Sequence, residues 1–465
     1  MNGRFWARYA WTGALGSLES GALESGVLID VSAGRIVSLQ AGSAPPGDAV
    51  VLDGLVIPGL ANAHSHAFHR ALRGATQLGG GTFWTWRETM YRVAVRLTPD
   101  EYLELARAVY AEMALAGITC VGEFHYLHHA PGGVAYDDPN AMGEALIEAA
   151  AQAGIRITLL DTCYLSSGFG APPDETQLRF SDGSGEAWAE RVSGLKERDH
   201  ARVGAAVHSV RAVPADQLEV VGAWAEQRHA PIHAHVSEQP AENEGCLAAY
   251  GVTPTRLLAD HGLLGPRTTA VHATHLTAQD IALLGGSTTT VCMCPTTERD
   301  LADGIGPARE VQAAGSPLSL GSDSQAVIDL FEEARAMELN ERLRTRRRGH
   351  WTADALLRAA TADGHPSLGW PEAGRLEVGA LADLVTISLD SVRTASSLGS
   401  VRTASLDFVR AAGPPHGVET AVFAATSADV SDVVRGGRVI VRRGVHQLVP
   451  DVAGALRQAL ARVAA

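Results

Sequence analysis

Short apolar runs separated by Gly and Ser turns occupy both ends of the chain. The runs GVLIDVSAGRIVSLQ and AVVLDGLVIPG lie near the start, and similar runs return at 374–389 and 432–445. Such runs are typical of strands in a small sheet. The pattern predicts one small β-sandwich-like domain formed by residues 1–58 together with 375–450. Residues 451–465 are expected to form a C-terminal helix.

The middle of the chain alternates strand-like runs with segments of helical periodicity, such as 100–116 and 331–344. Alternation of this kind predicts a parallel sheet, and the units in residues 59–374 fit a (β/α)8 barrel of the TIM type. A doubly wound open sheet is the alternative, but no glycine-rich phosphate loop follows the first strand. The strand candidates are VIPGLANAHSH, GITCVGEFHY, IRITLLDTCY, VGAAVHS, PIHAHVSE, TTAVHATH, STTTVCMCP and LSLGSDS.

Polar side chains recur where these candidate strands end, and the carboxyl ends of barrel strands build the active site. The first candidate ends in His64 and His66, and residues two apart in a strand face the same side. Both imidazoles can therefore reach one metal ion. Spacing alone does not choose between His233 and His235 in the fifth strand. The later strands contribute, at their ends, His233, His235, Glu238, His272, His275 and Asp323.

Nitrogen ligands with one carboxylate suit zinc best, although iron, cobalt or manganese fit as well. Such a ligand set leaves room for a bound water, whose pKa zinc lowers to about 7. A carbamylated lysine on a strand is one way to bridge two metals in such barrels. Lys196 is the only lysine, in the polar segment GLKERDH, which is expected to be helix surface. We therefore expect one metal ion per chain.

The combination of these strand-end motifs resembles the amidohydrolase superfamily over nearly the whole chain. The closing segment GRLEVGALADLV is similar to the one that returns the chain to the small β domain in its deaminase members. Within that superfamily, the sequence is most similar to the formimidoylglutamate deiminase family. The stretches that carry this likeness are HSHAFHRALRG, FWTWRETMYR, GEFHYLHH, HSVRAV, HAHVSEQ, VHATH and ADGIGP.

That resemblance implies zinc-dependent hydrolysis of N-formimino-L-glutamate to N-formyl-L-glutamate and ammonia, in histidine degradation. Glu238 would carry a proton between water and the substrate nitrogen. His272 would polarise or deprotonate the water, with His275 as the competing candidate. The division of the base role between His272 and Asp323 stays open. The zinc ligands implied by the family pattern are His64, His66, His235 and Asp323.

Recognition of that substrate requires local positive charge for two carboxylates. Arg211 follows the fourth strand and is placed for a bidentate contact, and Arg87 could take the second carboxylate. His208 and Tyr126 would add hydrogen-bond donors. His69 departs from the glutamine expected in HAFQ and could carry charge, which leaves its effect on substrate preference open. A structural surface or loop contact is the alternative interpretation for these residues.

Composition limits the other functions that the chain could have. Its 465 residues suffice for one large domain and a smaller one, and the formal net charge of −14 argues against nucleic-acid or membrane-surface binding. The segment MNGRFWARYAWTG lacks the features of a signal peptide, and the five cysteines are scattered. We therefore expect a cytoplasmic protein, and the superfamily resemblance implies a homodimer.

Two other functions compete with the leading hypothesis. A deaminase of guanine, cytosine or an adenosine derivative would keep the fold, but its pocket needs aromatic stacking and amide-type contacts to a base. The arginines at strand ends favour an acidic substrate instead. A non-catalytic scaffold is the third alternative, and the intact strand-end histidines and carboxylates argue against it. A shorter analogue such as N-formimino-aspartate differs by one methylene, worth only about 1–3 kcal/mol in a pocket.

Overall fold

The computed structural model describes residues 1–12, 22–77, 83–395 and 417–464. The strands within these ranges form two sheets. Four strands come first: β1 Gly3–Thr12, β2 Ala22–Ser32, β3 Arg35–Gln40 and β4 Val50–Pro58. Eight follow: β5 Leu60–Ser65, β6 Ile118–His125, β7 Arg156–Cys163, β8 Ala201–Val207, β9 Ile232–Val236, β10 Thr268–His272, β11 Thr290–Met293 and β12 Leu318–Leu320. The last are β13 Leu384–Ile387, β14 Val430–Arg435, β15 Arg438–Arg442 and β16 Val445–His446.

The helices lie mainly between the barrel strands. The α-helices span Phe83–Ala94, Pro99–Leu115, Ala141–Ala153, Gly185–Val192, Ala215–Arg228, Pro240–Tyr250, Pro254–Asp260, Ala278–Gly286, Pro295–Asp300, Ala308–Ala314, Leu330–Thr345, Ala353–Ala359, Gly364–Ser367, Val418–Phe423 and Val452–Ala464. Short 3-10 helices span Ala67–Leu72, Pro131–Gly133, Gln177–Phe180 and Ser427–Asp429. No helix in the described ranges is both long enough and apolar enough to cross a bilayer.

Strands β5 to β12 pair in chain order and in parallel, and a bridge between Ser65 and Asp323 joins the two ends. The predicted barrel is therefore confirmed, and each strand candidate overlaps one of its strands. Every position of β6 and β7 is buried, as expected for strands covered on both faces. Helix Pro99–Leu115 begins where the Thr98 side chain accepts from the Glu101 amide in a capping box.

Strands from both ends of the chain form the second sheet, as the sequence predicts. Its order is β16-β15-β14-β13-β4-β1-β2-β3, so β13 lies antiparallel to β4 and β4 lies parallel to β1. The parts of this predicted domain at 13–21 and 396–416 lie outside the described residues. The C-terminal helix, at Val452–Ala464, packs on Pro99–Leu115. Lys196 is exposed in a loop after helix Gly185–Val192, so the expectation of a helix surface was wrong.

The run VIPGLANAHSH crosses from the second sheet into the barrel at Gly59. Strand β4 ends at Pro58 and β5 begins at Leu60. A Cβ atom at position 59 would collide with the side chains of Thr119 and Asp383. Glycine therefore lets the two sheets approach closely at the point where the strand that carries His64 begins.

A buried ion pair ties the two sheets together. Arg156 of β7 contacts Asp383, and their exposed fractions are 3% and 1%. The Asp383 side chain also accepts from the backbone N–H of Gly436 at 2.7 Å, and its carbonyl accepts from Gly59 N–H at 2.9 Å. Neither charge has access to water, so each depends on the other for compensation.

Removal of one partner of this ion pair should therefore destabilise the folded protein more than removal of both charges. We expect Arg156→Met to destabilise the protein by about 3–5 kcal/mol, because Asp383 is left buried without a counter-ion. Arg156→Met/Asp383→Asn should recover most of this loss, since asparagine keeps the acceptor for Gly436. The half-exposed pair Arg202–Glu372 gives the control, and Arg202→Met should cost about 1 kcal/mol or less. Thermal unfolding measures all three, and equal melting temperatures for the first two variants would contradict the prediction.

Candidate active site

Four side chains of metal-ligand type converge at the carboxyl ends of β5, β9 and β12. One atom from each of His64, His66, His235 and Asp323 lies within 4.8 Å of the others. His64 Nε2 is 3.0 Å from His235 Nε2, and Asp323 Oδ1 is 3.3 Å from both His64 Nε2 and His66 Nε2. The structure thus brings together all four residues that the family resemblance implies as ligands. They are called the four-ligand cluster below.

The hydrogen bonds behind this cluster determine which ring nitrogens face its centre. His66 Nδ1 donates to the Phe124 carbonyl at 2.9 Å, and His235 Nδ1 donates to the His208 carbonyl at 2.8 Å. A carbonyl only accepts, so each Nδ1 carries the hydrogen and each Nε2 presents a lone pair. Burial also holds the pKa of His66 well below its ordinary value, which keeps the ring neutral.

The His66 lone pair therefore faces the Asp323 carboxylate, and two acceptors 3.3 Å apart repel each other unless a cation lies between them. Three imidazoles and one carboxylate, with the outer nitrogens of His66 and His235 bonded to backbone carbonyls, are a donor set that zinc and similar divalent metals prefer. The residues present therefore fit a divalent metal.

Residue spacing left two choices open, between His233 and His235 and between His272 and His275. Their positions in the barrel distinguish them. His233 lies one layer deeper than His235, and its Nε2 contacts the Ser367 carbonyl at 2.9 Å. His275 Nε2 contacts the Asp303 carbonyl at 2.8 Å. His272 Nε2, in contrast, lies 3.7 Å from Asp323 Oδ2. His235 is therefore a member of the four-ligand cluster and His272 lies beside it, whereas the rings of His233 and His275 contact backbone carbonyls elsewhere.

Three carboxylates surround His272. Its Nε2 lies 3.7 Å from Glu238 Oε1 as well as from Asp323, and its Nδ1 lies 3.7 Å from Glu298 Oε1. Burial opposes a charge on this ring, but the three carboxylates outweigh burial and raise the pKa of His272 well above its ordinary value. Burial likewise raises the pKa of Glu238, against the opposing effect of His272. This arrangement can hold and move protons beside the four-ligand cluster.

Glu298 is a site residue that the sequence analysis missed. It lies in helix Pro295–Asp300 just after β11, is 3% exposed, and accepts from the Cys294 N–H at 3.0 Å. The only available signal was a carboxylate shortly after a strand end.

A second missed carboxylate holds the turn that carries the first two histidines. Glu123 accepts from Ser65 Oγ at 2.8 Å and from the Ala67 N–H at 2.6 Å. Ser65 in turn accepts from Gln325 Nε2 at 2.9 Å, which links β5 to the loop after β12. Burial raises the pKa of Glu123 to about 7. Glu123 lies within the predicted second strand, and nothing in the local sequence distinguishes it from an ordinary core position.

The backbone after three barrel strands adopts left-handed conformations that non-glycine residues seldom take. For example, φ is 66° at His272 and 42° at Asp323. Such conformations cost about 1–3 kcal/mol each and concentrate at functional sites. Here the left-handed residues lie at or beside the four-ligand cluster, at the ends of β9, β10 and β12. They are Ser237, His272, Ala273, Asp323 and Gln325.

A cavity above the four-ligand cluster brings together all five predicted substrate-binding residues. They are His69, Arg87, Tyr126, His208 and Arg211. The cavity also includes Glu238, His272 and Asp323, so the predicted binding and catalytic side chains share one space. Lining residues that the sequence analysis did not single out are Met90, Tyr91, Tyr164, Phe180, Leu301 and Ser324.

The cavity contains two arginines in different settings. Arg87 Nε donates to the Tyr91 hydroxyl at 2.8 Å. The guanidinium of Arg211 makes no ion pair with any residue that the structure describes, although it lines the cavity. His69 Nε2 lies 3.0 Å from the Tyr126 hydroxyl, and burial lowers the pKa of His69 to about 3. His69 is therefore a neutral hydrogen-bonding group, and the positive charge of the cavity wall comes from the arginines.

The chain belongs to the amidohydrolase family, whose model matches residues 55–440. It is a hydrolase acting on C–N bonds, as the motifs predict. The formimidoylglutamate deiminase of Pseudomonas aeruginosa is 36% identical over 434 residues, which cover 90% of this chain and 92% of that protein. The 8-oxoguanine deaminase of the same organism is 33% identical, over 79% of this chain and 83% of that protein.

Solved structures agree with this assignment. An amidohydrolase from Brucella melitensis superposes with a TM-score of 0.88 at 33% identity, over 100% of both chains. An adenosine deaminase from Xanthomonas campestris with bound zinc gives 0.79 at 23% identity, over 99% of this chain and 98% of that one. The second likeness shows the shared fold alone.

The histidine pair in β9 gives a matched test of metal binding. We expect His235→Asn to weaken metal binding by more than about 100-fold, beyond the range typical of outer-shell partners, because a ligand nitrogen is lost. His233→Asn should retain the metal, because this ring bonds a backbone carbonyl away from the cluster. Metal content after dialysis against a weak chelator, measured by plasma mass spectrometry, compares them. Retention of metal by a folded His235→Asn would contradict the assigned cluster.

Proposed function

We propose that this protein hydrolyses N-formimino-L-glutamate to N-formyl-L-glutamate and ammonia, as a zinc-dependent step of histidine degradation. The observation that carries the proposal is the presence of Arg87 and Arg211 in the same cavity as the four-ligand cluster. Two arginines suit a small substrate with two carboxylates. The similarity to a formimidoylglutamate deiminase supports the same substrate.

The four-ligand cluster would hold one zinc ion, and iron or another divalent metal is compatible with the same donors. A metal of this kind would supply a water that ionises near neutral pH. In the proposed hydrolysis, a water oxygen would add to the formimino carbon, and the bond from this carbon to the terminal nitrogen would break as ammonia leaves. Both hydrogens of the water must therefore reach this nitrogen.

Glu238 is the residue that we assign to this proton transfer. Its raised pKa and its position beside His272 suit a carboxyl group that first accepts and then donates a proton. Since three carboxylates favour the charged form of His272, we assign it to polarising the water rather than to removing its proton. Asp323, which faces both His66 and His272, would then share the base role with Glu238.

The substrate's carboxylates would bind at the arginine side of the cavity. Arg211 lines the cavity together with Glu238 and its charge acts to lower the pKa of that carboxyl group, which supports a carboxylate contact near the reacting group. Tyr126 and His208 would add hydrogen bonds between the two ends. A cytoplasmic homodimer without nucleic-acid or membrane partners stays a prediction from the sequence and its resemblance.

A nucleobase or adenosine-derivative deaminase is the second candidate. The similarity to 8-oxoguanine deaminase favours it, as do the aromatic side chains of Trp86, Tyr126 and Phe180 in the cavity. Against it, a neutral base would offer no carboxylate to Arg211, which lines the cavity. Assays with guanine, 8-oxoguanine and 5′-methylthioadenosine alongside the proposed substrate distinguish the two candidates.

The first test is ammonia release by zinc-loaded protein supplied with N-formimino-L-glutamate, with Arg211→Met as the diagnostic variant. We expect rapid release by the parent and a loss of about 100-fold or more in kcat/KM for the variant. The reason is that a charge-assisted pair in a cavity is worth about 2–5 kcal/mol. Arg256→Met, which removes an exposed arginine paired with Asp260, is the matched control and should behave like the parent. No release by folded, metal-loaded parent would reject the substrate and leave the metal site standing.

Glu238→Gln tests the proton transfer separately from metal binding. The amide cannot accept the proton, so we expect kcat to fall by about 10²- to 10⁴-fold while metal content stays unchanged. Glu244→Gln, on the exposed face of the following helix, serves as the control. A Glu238→Gln protein with kcat within tenfold of the parent would show that another group moves the proton.

A further inference from the structure

Gln177 is a buried residue whose amide orientation is fixed by its own loop. Its side chain is fully buried, and its Oε1 accepts from the Asp174 N–H at 2.9 Å. The Gln177 N–H also donates to Asp174 Oδ1 at 2.8 Å. A backbone N–H can only donate, so the atom that faces it must be the amide oxygen. The amide nitrogen of Gln177 therefore points the other way, with two hydrogens to donate.

Both of these hydrogens go to tyrosine hydroxyls. Gln177 Nε2 lies 2.8 Å from the Tyr164 hydroxyl and 3.0 Å from that of Tyr91. Arg87 Nε donates to the Tyr91 oxygen as well, at 2.8 Å. Each phenolic oxygen is thus an acceptor in these contacts. Neither an amide NH2 group nor a guanidinium can accept in return, so each tyrosine must donate its single proton elsewhere.

These protons are present at neutral pH and have no protein acceptor in the described part of the chain. Burial raises the pKa of Tyr91 to about 12 and raises that of Tyr164 as well. Both side chains line the cavity above the four-ligand cluster. The ring centroid of Tyr164 lies 4.5 Å from that of His208, and the Tyr91 hydroxyl bonds Arg87. The charges of Arg211 and Arg87 both act on Tyr164, so the two hydroxyls lie in the part of the cavity that the arginines affect.

Two O–H donors beside a guanidinium form a surface that a carboxylate can satisfy. An amide of the same shape would point its own NH2 hydrogens at one of these donors, and buried donors left unpaired cost affinity. The selectivity of such a site for the acid therefore comes more from weakened binding of the amide than from strengthened binding of the acid.

We infer that Gln177 presets the hydroxyls of Tyr91 and Tyr164 as donors of a carboxylate subsite, completed by Arg87, that selects substrates with a second carboxylate. This inference rests on the proposed function for the identity of the diacid, but the subsite makes a binding prediction of its own. Tyr91 and Tyr164 would touch the ligand, whereas Gln177 is a positioning residue that acts through them.

The test is calorimetric binding of N-formyl-L-glutamate and its two monoamides to the metal-loaded protein. We expect the parent to bind the diacid about 100-fold more tightly than one of the monoamides, since two donors would lose their acceptor. Gln177→Glu keeps the shape but replaces the donor with an acceptor. The tyrosines would then turn their protons toward residue 177, and the preference should fall below about fivefold.

Two further variants separate this hydrogen-bond arrangement from simple charge repulsion by the new glutamate. Gln177→Met removes both donors without adding charge, and an intermediate preference of about tenfold is expected, because the hydroxyls can then rotate. In a Tyr91→Phe/Tyr164→Phe background, Gln177→Glu should change diacid affinity by less than about threefold, whereas repulsion would persist there. Tyr9→Phe, which removes a hydroxyl in the second sheet, is the control and should match the parent.

The outcomes distinguish this inference from the proposed function. Equal binding of the diacid and both monoamides by the parent would overturn the subsite, as would a Gln177→Glu effect that is undiminished in the double phenylalanine background. Selective diacid binding without ammonia release from N-formimino-L-glutamate would reject the proposed function and support the subsite. Rapid ammonia release by a protein that binds the diacid and both monoamides equally would support the proposed function and overturn the subsite.

Discussion

Acceptor atoms converge at the mouth of the barrel, and the rest of the site depends on this convergence. Carbonyls of Phe124 and His208 fix the outer nitrogens of His66 and His235, so the inner nitrogens present lone pairs toward Asp323. Lone pairs that converge in this way repel each other, and a cation between them would relieve that repulsion. The glycine crossing at Gly59 and the carboxyl group of Glu123 both serve this arrangement, because they place the strand that carries His64 and the turn that carries His66.

Charge is distributed unevenly around the cavity, and the unevenness matches the two ends of the proposed substrate. Three carboxylates surround His272 on the side of the four-ligand cluster. The same cavity also carries Arg87 and Arg211 together with donor groups. An amidine group suits the acidic side and carboxylates suit the basic side, so this distribution would orient such a substrate before any bond changes.

Much of the fold and part of the site were predictable because the signals are local. Strands buried on both faces are apolar throughout, and a strand that ends at an active site ends in polar residues. This is why the barrel strands, the pair His64 and His66, and the carboxylate Asp323 could be found from sequence order alone. Arg211 was predictable for the same reason, since it follows a strand directly.

The sequence by itself determined the order of strands and helices, the ligand types at the strand ends and the likeness to a family. Residue spacing did not choose between His233 and His235, and the tertiary structure brings His235 into the four-ligand cluster, because both rings point into the barrel and differ only in depth. Only the structure, too, revealed Glu298 beside His272 and Gln177 between two tyrosines. The direction of a hydrogen bond depends on which donor lies opposite, and these partners are far apart in the chain.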